Sequence, residues 1–180
     1  MGPFGGEILG RSCRDGKVRP NVFDMTDNPA LESLADSDLE YRVVRTERAR
    51  SAEESAGFQG IPLSALLRTL VVRRGEGDYL FVLVPGGRKF DWPKLRDLLG
   101  VRRMTMPDAE EAREVTGYER GAITPFGARM QLPVIIDRAA MDQPMVAIGG
   151  GAHGVNVHLS PRDLADHLGA RVADISVPED

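Results

Sequence analysis

The run Tyr79-Leu-Phe-Val-Leu-Val84 places five apolar residues in succession after a single tyrosine, and this constrains the fold more than any other stretch. A strand of that kind is apolar on both of its faces, so it belongs inside a sheet that is covered from both sides. Gly75-Glu-Gly77 precedes it and Thr69-Leu-Val-Val-Arg73 precedes the glycines, which predicts a hairpin. Further strands are expected at 41–46, 101–106, 132–136, 145–148, 155–159 and 171–175, from β-branched centres or alternating polarity. Helix starts are marked by Asn28-Pro29, by Ser51 with Glu54, by Asp91-Trp92, by Pro107-Asp108 and by Ser160-Pro161. Each sets a capping oxygen, in most cases with a proline in the first turn, ahead of an apolar period. The helix after Ser51 is expected to end near Gly57, and Asp137 to cap a single turn. Hairpins mixed with crossovers imply an α/β single domain with a mixed, barrel-like sheet of about seven strands and short helices packed around it. Residues 1–27 lack periodicity and read as a loosely ordered arm ahead of a domain spanning 28–180.

At 180 residues the chain is long enough to bury a core without disulfides or metal. No apolar run approaches a membrane span, the start lacks the pattern of a signal peptide, and Cys13 is the single cysteine; together these lead to the expectation of a cytoplasmic protein without a membrane partner. The formal net charge of −4 argues against a surface that grips nucleic acid everywhere. The basic residues are nevertheless grouped: Arg42, Arg45, Arg48 and Arg50; Arg68, Arg73 and Arg74; and Arg88, Lys89, Lys94, Arg102 and Arg103. Such groups are either solvated faces or a seat for one limb of a phosphate backbone.

The segment Thr116-Gly-Tyr-Glu-Arg-Gly121-Ala122-Ile-Thr124-Pro125-Phe-Gly127 concentrates glycine, threonine and proline between a helix and a strand. It is either a tight, well-packed turn or a stiff loop whose amides hold developing negative charge. Gly149-x-Gly151-x-x-Gly154 matches a dinucleotide fingerprint in form, but Val155-Asn-Val-His-Leu159 alternates as a strand where that fold needs a helix. No helix N-terminus then remains for a pyrophosphate, and no nicotinamide or flavin is expected. Gly149, Gly150 and Gly151 read instead as a wide hairpin loop whose amides face the same pocket as Gly121. Of the three histidines, His158 lies on the strand and His167 on a helix, while His153 sits in the glycine loop, within reach of a substrate amino group or a water. No ligand spacing suggests a metal, and no cofactor is expected.

Taken in order, Arg68-Thr69-Leu-Val-Val, Thr116-Gly-Tyr…Gly121-x-x-x-Pro125-Phe-Gly, Leu132-Pro-Val-Ile-Ile-Asp137 and Gly151-Ala-His153-Gly-Val-Asn156-Val resemble the YbaK family of aminoacyl-tRNA editing domains, over roughly 39–177. The resemblance implies a deacylase that hydrolyses the ester of a wrongly charged tRNA, with aminoacylated tRNA and a synthetase as partners. Carried residue by residue, it implies catalytic roles for the backbone of Gly121 and Ala122 and for Arg68. Substrate contacts are implied at Thr69, Thr124, Pro125, Gly149–Gly151, His153 and Asn156. Arg42, Arg45, Arg102 and Arg103 are the expected tRNA contacts. Two departures stand out: Arg68 occupies a family lysine position, keeping the charge but unable to give up a proton, and Asn156 replaces an acid that is frequent there. Alternatives are a tRNA-end or partner-binding module without catalysis, and a hydrolase of another small ester.

Overall fold

The computed structural model describes residues 28–179 and, as backbone, three two-residue strands: β1 (Ile8–Leu9), β2 (Ser12–Cys13) and β3 (Gly16–Lys17). Apart from these strands, the expected arm at 1–27 lies outside the described residues, as does the side chain of Cys13.

Strand β6 (Asp78–Pro85) is covered on both faces, as its composition requires. Phe81 and Leu83 join Leu67, Val71, Val134 and Ile136 in one core, whereas Leu80, Val82 and Val84 join Val72, Leu95, Ile135 and Ile175 in another. β5 (Leu67–Gly75) pairs with β6 antiparallel, and β8 (Val134–Asp137) pairs with it parallel. With β11 (Arg171–Ala173) on the far side, the order is β11-β8-β6-β5, a mixed sheet. A second sheet, antiparallel throughout, runs β1-β4-β10-β9, from β4 (Tyr41–Arg45), β9 (Val146–Gly149) and β10 (Val155–Leu159). Among the described residues only the isolated parallel bridge Leu66↔Ala147 joins the two sheets. The barrel-like expectation is therefore corrected: hydrogen bonding does not run on from one sheet into the other to close a barrel. β7 (Arg88–Phe90) and β12 (Ser176–Pro178) form a separate ribbon.

The five α-helices among the described residues follow their caps. They are α1 (Pro29–Ala35), α2 (Ala52–Gln59), α3 (Trp92–Leu99), α4 (Ala109–Thr116) and α5 (Pro161–Leu168). Asn28, Ser51, Asp91, Asp108 and Ser160 each accept a first-turn amide, satisfying one of the orphan donors at a helix start. Asp137 likewise accepts from Ala139 N. Several strand ends shift by one or two residues, and two departures from expectation are larger. α2 runs through Gly57 and stops at Gly60, where the left-handed backbone lets Ile61 N donate to Ala56 O. The strand expected at 101–106 is reduced to one bridge, Thr105 to Arg73, because Pro107 cannot donate to a ladder and starts the turn into α4.

Candidate functional site

A cavity of about 460 Å³ opens where the two sheets meet, within the range of roughly 300–1,000 Å³ usual for small-molecule sites. Its walls are Leu66 with residues 67–71 of β5, residues 46–52 leading from β4 into the start of α2, Met106–Ala109 at the start of α4, Arg120–Gly121 with Ile123, and the segment 152–156 with Gly149. The Gly121 loop and the glycine hairpin, 30 residues apart in sequence, thus face one space.

The Gly121 loop is held from within. Thr116 Oγ1 donates to Ala112 O (2.8 Å) and accepts from Tyr118 N (3.1 Å), while Tyr118 Oη donates to Phe126 O (2.6 Å). Burial pushes the Tyr118 phenol up to about 12, so that donor stays protonated. Arg129 N donates to Thr116 O (2.9 Å) and closes the base of the loop. Thr124 is fully buried and its hydroxyl accepts from Phe126 N (3.4 Å); Pro125 is half-buried. These two expected substrate residues shape the loop more than they expose groups to a ligand. Of the two expected catalytic backbone positions, Ala122 donates its N–H to Glu119 O (2.9 Å) within the loop. Among the described residues the N–H groups of Gly121 and Ile123 have no acceptor, and both residues line the cavity.

Gly121 has φ +92°, and a Cβ built on it would lie 3.3 Å from His153 Cε1 and 3.8 Å from His153 Nδ1. The imidazole therefore lies directly against the Gly121 backbone, with Nε2 3.6 Å from Glu119 Oε2. The glycine hairpin is pinned at its ladder end: Gly150 N donates to Val155 O (2.8 Å), Val155 N to Ala152 O (3.1 Å) and Thr46 N to Gly154 O (2.8 Å). Gly149 lies against Ile123, whose carbonyl would be 3.4 Å from an added Cβ.

The head of α1, which sequence reasoning treated only as a helix start, touches both loops. Asn28 Nδ2 donates to Gly150 O (3.0 Å). A Cβ on Gly127 would meet Pro29 O at 2.3 Å, and one on Gly151 would meet Ala30 Cβ and Asn28 Oδ1 at 2.9 Å. Capping chemistry explained Asn28 locally, and no local pattern announces its second bond, 122 residues away.

The expected side chains divide. Strand alternation places Thr69 on the face of Leu67 and Val71, and Arg68 on the opposite face with Leu70 and Val72. Both Arg68 and Thr69 line the cavity, where Thr69 Oγ1 is buried without a partner. Arg68 Nη2, however, donates to Arg88 O and pairs with Glu179 at 3.4 Å. Asn156 lines the wall and donates weakly to Val44 O (3.4 Å). His158, on the same strand face, bonds Gln59 Oε1 at 2.8 Å, and burial with the nearby Arg42 charge lowers its pKa; it is a satisfied structural histidine. His167 packs beside Phe126. None of Arg42, Arg45, Arg102 and Arg103 lines the cavity; Arg48, Arg50 and Arg120 do. All three are exposed, and none has an ion-pair partner among the described residues. Grouping by sequence had marked Arg48 and Arg50 as basic, but their place at the mouth depends on the turn from β4 into α2. Among the described residues no group of three or more His, Cys, Asp or Glu is placed to hold a metal, and no helix is long and apolar enough to cross a membrane.

A model of the aminoacyl-tRNA editing domain family matches residues 46–167. The proline–tRNA ligase of Geobacter sulfurreducens is 35% identical over 165 residues, covering 91% of this chain and 28% of the ligase. A protein of Enterococcus faecalis, provisionally named Cys-tRNA(Pro)/Cys-tRNA(Cys) deacylase EbsC, is 26% identical over 140 residues, covering 78% of this chain and 85% of that protein. The chain thus spans most of EbsC but only about a quarter of the ligase. A crystal structure described provisionally as a trans-editing enzyme for prolyl tRNA synthetase superposes with TM-score 0.72 at 31% identity, covering 84% of this chain and 93% of that one. The chain belongs to the aminoacyl-tRNA editing domain family.

Proposed function

We propose that this member of the aminoacyl-tRNA editing family is a trans-editing deacylase, which hydrolyses the ester of a tRNA carrying a small, wrongly attached amino acid such as alanine or cysteine, with tRNA(Pro) the favoured carrier. The observation that carries this reading is the Gly121 backbone, left without a side chain and with its N–H unclaimed, lying against His153 in the wall of a small cavity. Water adds to the acyl carbon, and the carbonyl oxygen becomes an oxyanion that the Gly121 and Ile123 N–H groups receive. The carbon–oxygen bond to the ribose then breaks, the ribose oxygen takes the proton that the water gives up, and the free amino acid leaves. Fixed dipoles of this kind supply much of the rate enhancement of acyl-transfer sites, and an ester leaves readily enough to need no activated nucleophile. His153, steadied by Glu119, holds the water or the substrate amino group.

The small cavity walls, including Ala112, Ile123 and Val71, support a sieve by size, which favours small acyl groups. Arg48, Arg50 and Arg120 at the mouth would meet the phosphates of the acceptor end, and the synthetase whose product is checked is the expected partner. A second reading, a binding module without catalysis, is favoured by Arg68: it stands at the family's lysine position, with its guanidinium engaged by Arg88 O and Glu179. The test is a panel of tRNAs charged with alanine, cysteine, serine, threonine and proline. Loss of one or two mischarged esters, with Pro-tRNA(Pro) spared, is expected. Tight binding of the panel with every ester surviving at the spontaneous rate would replace the deacylase with the binding module.

A further inference from the structure

We propose that Asn28 is a positioning residue of this site, holding the glycine hairpin so that His153 stays against Gly121; the inference rests on the deacylase reading only for its kinetic consequence. The side chain of Asn28 is used in two directions. Its Oδ1 accepts from Ala30 N (3.1 Å) and Leu31 N (3.3 Å), which caps α1, while its Nδ2 donates to Gly150 O (3.0 Å). Aspartate or serine would cap the helix equally well. Aspartate has no donor, and serine is too short to span from the cap to the hairpin.

Gly150 is buried, and its own N–H is committed to Val155 O, so the peptide is fixed from the ladder on one side and by Asn28 on the other. The next residue, Gly151, is wedged against the same helix head: a Cβ there would come within 2.9 Å of Asn28 Oδ1 and 3.0 Å of the Tyr118 ring. Two residues further on is His153. The Tyr118 ring belongs to the Gly121 loop, which is seated on α1 through the contact of Gly127 with Pro29. The helix head is therefore the common support of both loops, and the Asn28 amide is its one side-chain hydrogen bond to the hairpin among the described residues.

Substitutions that keep the cap separate this role from helix stability. Asn28→Asp and Asn28→Ser are each measured for thermal midpoint, for kcat and KM on the mischarged tRNA that the unaltered protein hydrolyses, and for the ring signals of His153 by NMR in the free protein. The same substitutions are repeated in a His153→Ala background. The expected result is a midpoint close to that of the starting protein, kcat lower by at least about tenfold with KM little changed, displaced His153 ring signals, and no further loss of rate once His153 is absent, as for two residues that act through one another. The proposal is overturned by undisturbed ring signals, by kcat within about twofold of the starting value, or by equal losses with and without His153. If the unaltered protein hydrolyses nothing, the deacylase reading fails, and the ring signals alone still decide the placement of His153.

Discussion

The cavity has two walls of different construction. One is backbone: the Gly121 loop and the glycine hairpin, held against the head of α1 and the end of β4 by contacts so close that an added methyl group would meet Pro29 O at 2.3 Å from Gly127 or Thr46 O at 2.4 Å from Gly154. The other is side chain: Arg48 and Arg50 on the connection into α2, together with Arg120 and the exposed Met106. The first wall offers dipoles that cannot reorganise, which suits developing charge at a reacting carbon. The second offers mobile, solvated cations, which suit a polyanion and are screened by salt. Chemistry and affinity are thus assigned to different parts of the site, and substitutions should separate them.

The largest effect is expected from Gly127→Ala or Gly154→Ala, where the new methyl would collide with backbone rather than with a flexible side chain. Losses of more than about 3 kcal/mol, or failure to fold, should appear in thermal or denaturant unfolding. Stable, active variants would show that the backbone wall is not interlocked. Next come Arg48→Ala, Arg50→Ala and Arg120→Ala, which should leave single-turnover hydrolysis at saturating tRNA intact. Each should weaken binding and lower the slope of log affinity against log salt by about one phosphate contact. A falling rate at saturation with an unchanged slope would move them into the chemical wall. Arg68→Ala removes a half-exposed pair with Glu179 (3.4 Å) and a tie to Arg88 O, so a stability change no larger than about 1 kcal/mol is expected from the ion pair. A large loss of rate would make Arg68 the substrate anchor that the family position implies.

The smallest effect concerns pH. Burial, reinforced by Arg42, holds the folded pKa of His158 below the ordinary 6.5, so the unfolded chain binds the proton more readily. The stability from keeping His158 neutral is complete above about pH 6.5 and is lost as pH falls toward the folded value, no more steeply than about 1.4 kcal/mol per pH unit. His158→Gln should flatten that part of the stability profile, seen in unfolding midpoints from pH 7 to 5. An unchanged profile would assign the slope to other groups.

Local chemistry made most of the elements legible. The caps at Asn28, Ser51, Asp91, Asp108 and Ser160 act within three residues, and the apolar run of β6 reports its own burial. The glycine loops were legible as loops because their residue types select a backbone shape. What sequence could not supply was long-range register. Nothing around Thr105 indicates that it pairs with Arg73 at a single residue, and nothing around Asn28 indicates Gly150. The sheet edges that decide between a closed barrel and two sheets meeting at Leu66 and Ala147 are likewise set by packing, not by propensity. The bond from the Ala122 amide was illegible for a related reason: its acceptor, Glu119 O, depends on the turn that Gly121 makes.

The division between the walls rests on Gly121. One preparation of Gly121→Ala, compared with Arg120→Ala from the adjacent position, should be measured for thermal midpoint and for single-turnover hydrolysis at saturating mischarged tRNA. The left-handed backbone there strains an alanine by about 1 kcal/mol, and the methyl displaces His153 and the acyl carbonyl. The account predicts a modest fall in midpoint for Gly121→Ala with a loss of rate on the order of a hundredfold to a thousandfold, about 3 to 4 kcal/mol of transition-state stabilisation, while Arg120→Ala keeps its rate. A Gly121→Ala protein that hydrolyses the ester at the unaltered rate would contradict it and leave the Gly121 loop as architecture alone.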